Sequence, residues 1–388
     1  MSDSVSAVAA PLKKTALNAT HRALKAKMVD FGGWDMPVEY PVTGDGLCVG
    51  LLGEHMAVRT GVGLFDVSHM GEIQFRGPGA LAAVQHITMN DASKLADGQA
   101  HYSALLAPSG AFVDDILVHR LSPNDYLLVV NAGTADKDFA WIRQQVGGWP
   151  GIHLSNYSSY YSQLALQGPR SLETLAKLTK VDLAAIKNYW FTWGTVAGIP
   201  NVMIARTGYS GEDGFEVYIP SDEPTTVKMW NALLDAGAEF AIRPCGLGAR
   251  NTLRLEAGMS LYGHEISEDI NVLEAGLTRW LKLDKGDFIG RDALIQIQEE
   301  KPKRKIIGLE MVERGIARDG YSVLSLDGEQ IGAVTSGSPA PFLKTNIAMA
   351  LVPVSVAESG TDVLVDVRGN RVRAKQVPLP FYKRPKKA

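Results

Sequence analysis

The rhythm of apolar and polar positions changes along the chain. Up to about residue 70, helical and loop signals mix. Glu54-His55-Met56-Ala57-Val58-Arg59 has helical composition and stops at Gly61. Glu72-Ile73-Gln74-Phe75 then alternates, which predicts a strand, and Gly77-Pro78-Gly79 ends it before a helix over 80–86. The next segment reads as hairpins. Strands are predicted over 102–107, 112–120 and 126–130, separated by the turn chemistry of Pro108-Ser109-Gly110 and Ser122-Pro123-Asn124-Asp125. Helices are predicted over 134–146 and 169–178. A hairpin follows in which 201–207 and 215–220 flank Ser210-Gly211-Glu212-Asp213-Gly214, and then an amphipathic helix over 225–240. After Lys301-Pro302-Lys303-Arg304-Lys305 no helix is evident. Short strands such as 306–311, 331–334, 347–352 and 362–367 alternate with Gly, Pro and Asp. The pattern is an α+β body with a β-rich C-terminal domain.

Composition narrows the class. A chain of 388 residues predicts two or three domains, and 46% apolar with 21% charged residues is globular. Lys and Arg nearly balance Asp and Glu, leaving a net charge of −3. No global basic field is therefore expected to hold nucleic acid or an anionic membrane. Two cysteines, Cys48 and Cys245, cannot form a disulfide framework, and no apolar run approaches a membrane span. The start, 1–14, has no apolar core of a secretory signal and little Arg, and the basic tail 383–387 reads as a solvated terminus. A cytoplasmic protein is expected.

Several chemistries find no motif. There is no Gly-x-x-x-x-Gly-Lys phosphate loop and no Gly-x-Ser-x-Gly elbow, and Gly246-Leu247-Gly248 lacks the third glycine of a dinucleotide fingerprint. The eight histidines are dispersed, so no metal site is expected. Three clusters stand out instead. Asp114-Asp115 interrupts an otherwise apolar strand. Successive side chains point to opposite faces, so each acid shares its face with apolar neighbours. Either the acids cap a loop or pair with an Arg, or one of them meets a polar, proton-bearing ligand. In the run Arg206 to Glu216, the turn acids Glu212 and Asp213 read as solvated. Glu216 shares its strand face with Tyr218, so a polar cavity or the solvent must receive it. In the run Arg243 to Met259, small residues lead into a helix. There Arg250 and Arg254 suit a carboxylate, although an internal pair with Glu256 suits one of them equally.

Taken in order, these clusters carry a resemblance. Met28-Val29-Asp30-Phe31-Gly32-Gly33-Trp34-Asp35-Met36-Pro37, Phe65-Asp66-Val67-Ser68-His69-Met70-Gly71, Val113-Asp114-Asp115, the Arg206 to Glu216 run, Gly246-Leu247-Gly248-Ala249-Arg250 and Leu253-Arg254-Leu255-Glu256-Ala257-Gly258 belong to it. So do Asp287-Phe288-Ile289-Gly290-Arg291 and Val334-Thr335-Ser336-Gly337. Together, over roughly 12–382, the set resembles the T-protein (aminomethyltransferase) family of the glycine cleavage system. The resemblance implies a three-domain cloverleaf around a central folate channel. Its domains are expected at 1–74 with 247–295, at 75–246, and at 296–388, the last barrel-like. It implies transfer of the methylene of an aminomethyl group, carried on the lipoyl arm of H-protein, to tetrahydrofolate, with ammonia released. It places Asp115 beside the attacking folate nitrogen and Glu216 on the pterin. Arg250 falls in the folate site, and Tyr102, Asn131, Tyr189 and Tyr209 fall along the channel. Asn251, His264 and Arg279-Trp280 depart from the family's usual residues, and Asn251 is expected to weaken any ion pair orienting Arg250. Two rival readings share the fold: a folate-dependent demethylase, and a folate-binding iron–sulfur assembly protein without transferase activity. The second is expected to carry a cysteine motif late in the chain, whereas Cys245 sits in Pro244-Cys245-Gly246-Leu247-Gly248, the transferase pattern.

Overall fold

Turn chemistry and alternation decide the first layer of the structure. The computed structural model describes residues 11–385. Residues 1–10 and 386–388, with most of the N-terminal stretch and the end of the basic tail, lie outside the described residues. Strands Gln99–Leu106 and Phe112–Ser122 pair across the Pro108–Gly110 turn, which Gly110 closes at φ +80°. Asp125–Val130, Gly71–Arg76 and His153–Asn156 complete a five-stranded antiparallel sheet. Ile73, Phe75, Ile116, Val118, Leu128 and Val130 all face one way. They bury themselves against helices Ala80–Ile87 and Ala135–Val146.

A second sheet has six strands in the order Phe191–Val196, Ile199–Ala205, Gly214–Pro220, Tyr161–Gln167, Gly63–Asp66 and Arg243–Cys245. Only the last pair is parallel. Phe215, Val217 and Ile219 pack under helix Glu223–Gly237 through Met229, Trp230 and Leu233. Asp222 starts that helix by accepting from the Thr225 N–H at 2.8 Å. The helix-free faces of the two sheets meet, with Leu117, Leu127 and Val129 of one against Phe191, Met203 and Tyr218 of the other. The sheets therefore lie back to back with helices outside. Any side chain on the inner face of either sheet is aimed at the seam between them.

The C-terminal strands Arg304–Met311, Ser322–Leu324, Gln330–Ala340, Thr345–Pro353, Asp362–Val367 and Asn370–Val377 close into a barrel around Leu309, Val323, Ala350 and Val365. The α+β body and the β-rich end are as expected. The borders are not where the expected blocks put them. A border after residue 74 falls inside strand Gly71–Arg76, and block 75–246 contributes strands to both sheets. Pairing of Gly63–Asp66 with Tyr161–Gln167 joins segments about a hundred residues apart, which reading along the chain cannot register.

Candidate active site

The seam between the sheets opens at one end into a cavity of about 260 Å³. That is several times the roughly 30 Å³ of a water, so the space suits an organic ligand. Residues 258–262 and the turn Thr278–Trp280 border it on a third side. Asp115, Tyr102, Asn131, Tyr189, Tyr209, Glu216 and Arg250 all line it, although they are drawn from both sheets, three loops and the helix Leu247–Glu256.

At one end, Asp115 lies on the inner face of its strand, where alternation puts it beside Leu117. Asn131 Nδ2 donates to Asp115 Oδ1 at 2.8 Å and the Tyr102 hydroxyl donates to Oδ2 at 3.1 Å. Burial, and then the charge of neighbouring Asp114, push the Asp115 carboxyl up to about 7. The two donors act in the opposite direction. Asp114 points the other way. It accepts from the Asn131 N–H at 3.1 Å, from Asn131 Nδ2 at 2.8 Å and from Thr134 Oγ1 at 2.8 Å. The two acids thus divide the readings the sequence left open: Asp114 holds a loop and Asp115 faces the cavity. Gly32 packs on that same loop, where a Cβ would come within 2.8 Å of the Gly133 Cα, so only glycine fits.

At the other end, Glu216 is buried and accepts from the Thr207 hydroxyl. Burial raises its carboxyl, while Thr207 and the Arg250 guanidinium pull it back down. Arg250 lies 4.4 Å from the centre of the Tyr209 ring, and the Tyr209 hydroxyl donates to the Ser260 carbonyl. Tyr189 sits in left-handed backbone at φ +62°, fixed by a 3.0 Å bond from its N–H to the Arg206 carbonyl and a 2.7 Å bond from the Ala100 N–H to its own carbonyl. Its ring is 6.1 Å from that of Trp280, which in turn is 5.6 Å from Tyr102. The cavity therefore pairs an aromatic wall with a carboxylate at each end.

Sequence reading passed over Trp280 as a lining residue and noted only its shifted position. A tryptophan in a Gly-rich, helix-poor segment was the available signal. Gln163, whose Nε2 donates to the Tyr218 hydroxyl at 3.0 Å, carried no signal at all.

Three local expectations need correction. Glu212 and Asp213 are not solvated. Glu212 accepts from Arg59 at 3.0 Å and from the Tyr382 hydroxyl at 2.7 Å, and Asp213 is held by Arg206. The C-terminal segment that covers this turn lies far away in sequence. Arg254 pairs with Glu265 at 2.8 Å and Ser336 at 2.8 Å, whereas Glu256 accepts from Arg59 at 2.9 Å. Asn251 accepts from Arg254 Nε at 2.9 Å, so its exchange for an acid bears on Arg254 and not on Arg250. His264 meets the Thr335 carbonyl at 2.8 Å, between body and barrel.

Among the described residues no group of three or more His, Cys, Asp or Glu side chains is placed to hold a metal ion, and no helix is long and apolar enough to cross a membrane.

Comparison with known proteins agrees with this geometry. Residues 17–285 match the family described as GCVT N-terminal domain, and residues 304–383 match the glycine cleavage T-protein C-terminal barrel domain. The chain is 66% identical to an aminomethyltransferase of Acidobacterium capsulatum over 97% of its own length and 98% of the relative's. It is 59% identical to one of Koribacter versatilis over 98% and 99%. The crystal structure of the glycine cleavage system aminomethyltransferase T from Bartonella henselae superposes with a TM-score of 0.87 at 32% identity, covering 96% of this chain and 98% of that one. On both the sequence and the fold, the chain belongs to the glycine cleavage T-protein family of aminomethyltransferases.

Proposed function

We propose that the protein moves the methylene of an aminomethyl group, carried as a thioether on the lipoyl arm of glycine-cleavage H-protein, to tetrahydrofolate. The products are methylene-tetrahydrofolate, ammonia and the dihydrolipoyl carrier. The balance is simple: the two N–H hydrogens of the folate leave with the ammonia and with the freed thiol. One observation carries the reading. A single cavity gathers two carboxylates, an arginine and an aromatic wall, which is the chemistry a reduced pterin asks of a protein.

Tetrahydrofolate supplies the nucleophilic amine, and the chain supplies position and charge. Asp115, with its carboxyl near 7, holds either protonation state at neutral pH. It takes the hydrogen that the attacking nitrogen loses, and as an anion it steadies positive charge on the methylene as sulfur departs. Tyr102 and Asn131 orient it by donating to its two oxygens. Glu216 accepts from the amino and imide hydrogens of the pterin, with Thr207 fixing its free rotation. Arg250, stacked on Tyr209, keeps Glu216 an acceptor, and Tyr189 and Trp280 provide stacking surface. Two buried, unpaired cysteines suit a reducing compartment, and the cytoplasm is the proposed site of action.

The test is direct. The protein is mixed with aminomethylated H-protein, and ammonia is followed with and without tetrahydrofolate. Release that depends on tetrahydrofolate is expected. Release indifferent to it, or none, overturns the reading.

A further inference from the structure

The acid beside the cavity has a third carboxyl behind it. Helix Ala135–Val146 opens directly after Thr134, and its first turns lie against the loop that carries Asn131. Asp138, in the first turn, is completely buried. Its carboxyl meets that of Asp114, and the other hydrogen within its reach is that of the Thr134 hydroxyl, which also faces Asp114 and the Asn131 carbonyl.

The inventory of hydrogens around the two groups is unequal. Asp114 receives the Asn131 N–H, one Asn131 side-chain hydrogen and the Thr134 hydroxyl. Asp138 receives at most a share of that same hydroxyl. Two carboxylates in contact and out of water cannot both stay charged, so one hydrogen must reside on the pair. Asp114 has two N–H donors that Asp138 lacks, so the acid with fewer donors is the better carrier of the proton. The charge of Lys137 acts on both acids and so does not choose between them. Its ammonium donates to the Val113 carbonyl at 2.7 Å and to the Tyr262 hydroxyl at 2.7 Å, with Glu268 at 3.5 Å.

We propose that Asp138 is a positioning residue for the active site: it stays protonated at neutral pH, gives its hydrogen to Asp114, and so keeps Asp114 an anion that holds Asn131 against Asp115. The proposal rests on the reading of Asp115 as the reacting acid. Asn131 Nδ2 has two hydrogens, and it spends one on Asp114 and one on Asp115, each at 2.8 Å. A fixed anion at Asp114 therefore sets where the second hydrogen points. The same anion is the charge that lifts Asp115 toward neutral pH. Burial, followed by the charge of Asp114, pushes Asp138 itself up to about 10, in line with the hydrogen count. The row Asp138, Asp114, Asp115 then reads as proton donor, acceptor and titrating acid. Besides these three, the titratable and charged groups facing them are Lys137 on the helix, Tyr102 on the neighbouring strand, Tyr262 and Glu268 on the covering loop, and Tyr209 and Arg250 across the cavity.

Infrared spectroscopy on the full chain with isotope-labelled aspartate tests the proposal without reference to activity. At about pH 8.5, above the Asp115 value and below that of Asp138, an aspartic-acid carbonyl band is expected. Asp138→Asn removes it and Asp115→Asn leaves it. No such band in the parent, or a band that survives Asp138→Asn, overturns the proposal whatever the enzyme's activity. Kinetics then tests positioning. Asp138→Asn, whose amide can still donate to Asp114, is expected to keep kcat within about threefold of the parent. Asp138→Ala is expected to lower kcat about ten- to a hundredfold while KM for tetrahydrofolate hardly moves. Equal kcat in the Ala variant and the parent, or an equal loss in the Asn and Ala variants, contradicts a donor role. Should the Ala variant fail to fold, the infrared comparison alone decides.

Discussion

Asp115 and Glu216 sit at two ends of one cavity, on strands of different sheets, and their surroundings treat them differently. Asp115 has a second acid as its chain neighbour, and that charge adds to burial in lifting it to about 7. Glu216 has Thr207 and Arg250, which work against burial and favour its anion. The first arrangement produces a group that can change protonation at working pH. The second produces a fixed acceptor. Fold alone does not create this contrast, because both acids occupy inner-face positions of antiparallel sheets. The next residue in the strand and the nearest guanidinium create it.

Each end can be tested by removing its charge. Asp115→Asn keeps the shape and loses the base, so turnover is expected to fall about 10²- to 10⁴-fold while the tetrahydrofolate dissociation constant changes less than about threefold. Steady-state ammonia release and calorimetry give the two numbers, and equal turnover would remove Asp115 from the chemistry. Glu216→Gln replaces an anionic acceptor by an amide and is expected to weaken tetrahydrofolate about ten- to a hundredfold, with saturated turnover much less affected. An unchanged dissociation constant would detach Glu216 from the ligand.

Stability gives a smaller contrast, and its sign is fixed by linkage. The carboxyl of Asp115 rises from 3.8 in the unfolded chain to about 7 in the folded one. The folded state therefore binds more protons than the unfolded state across that window, and the group's contribution declines as pH climbs through it. Asp115→Asn is expected to gain up to about 4 kcal/mol relative to the parent on going from pH 4 to pH 8, measured by denaturant unfolding. A constant difference at both pH values would mean that Asp115 is not raised. The smallest expected effect concerns Asn251. Because it serves Arg254, Asn251→Asp is expected to leave tetrahydrofolate affinity within about twofold, and a larger change would tie it to Arg250 after all.

Much of this contrast is legible in the sequence, for a physical reason. Alternation in a strand is local, so Asp115 could be assigned a different face from Asp114, and Glu216 a different face from Phe215, before any pairing was known. The turn residues likewise placed the hairpins within a few positions. What the sequence conceals is whatever depends on distant chain. Glu212 looks like a solvated turn acid until Arg59 and Tyr382 arrive to bury it. Arg254 has an acid two residues away and uses instead one eleven residues on, because the chain folds back to bring Glu265 and Ser336 together. Nothing in the sequence singles out Asp138 near the start of its helix, and only the fold shows that it has no access to water. Domain borders fail for the same reason, since the sheet that joins Gly63–Asp66 to Tyr161–Gln167 encloses a whole second sheet in sequence.

The most direct test of the division between the two acids is the pH dependence of single-turnover transfer from aminomethylated H-protein, measured at saturating tetrahydrofolate on the parent, Asp115→Asn and Glu216→Gln proteins. The rate is expected to fall about tenfold per pH unit below about pH 7 in the parent and in the Glu216 variant, and to be slow and flat in the Asp115 variant. A limb near pH 7 that persists without the Asp115 carboxyl would contradict the account, because some other group would then control the transfer.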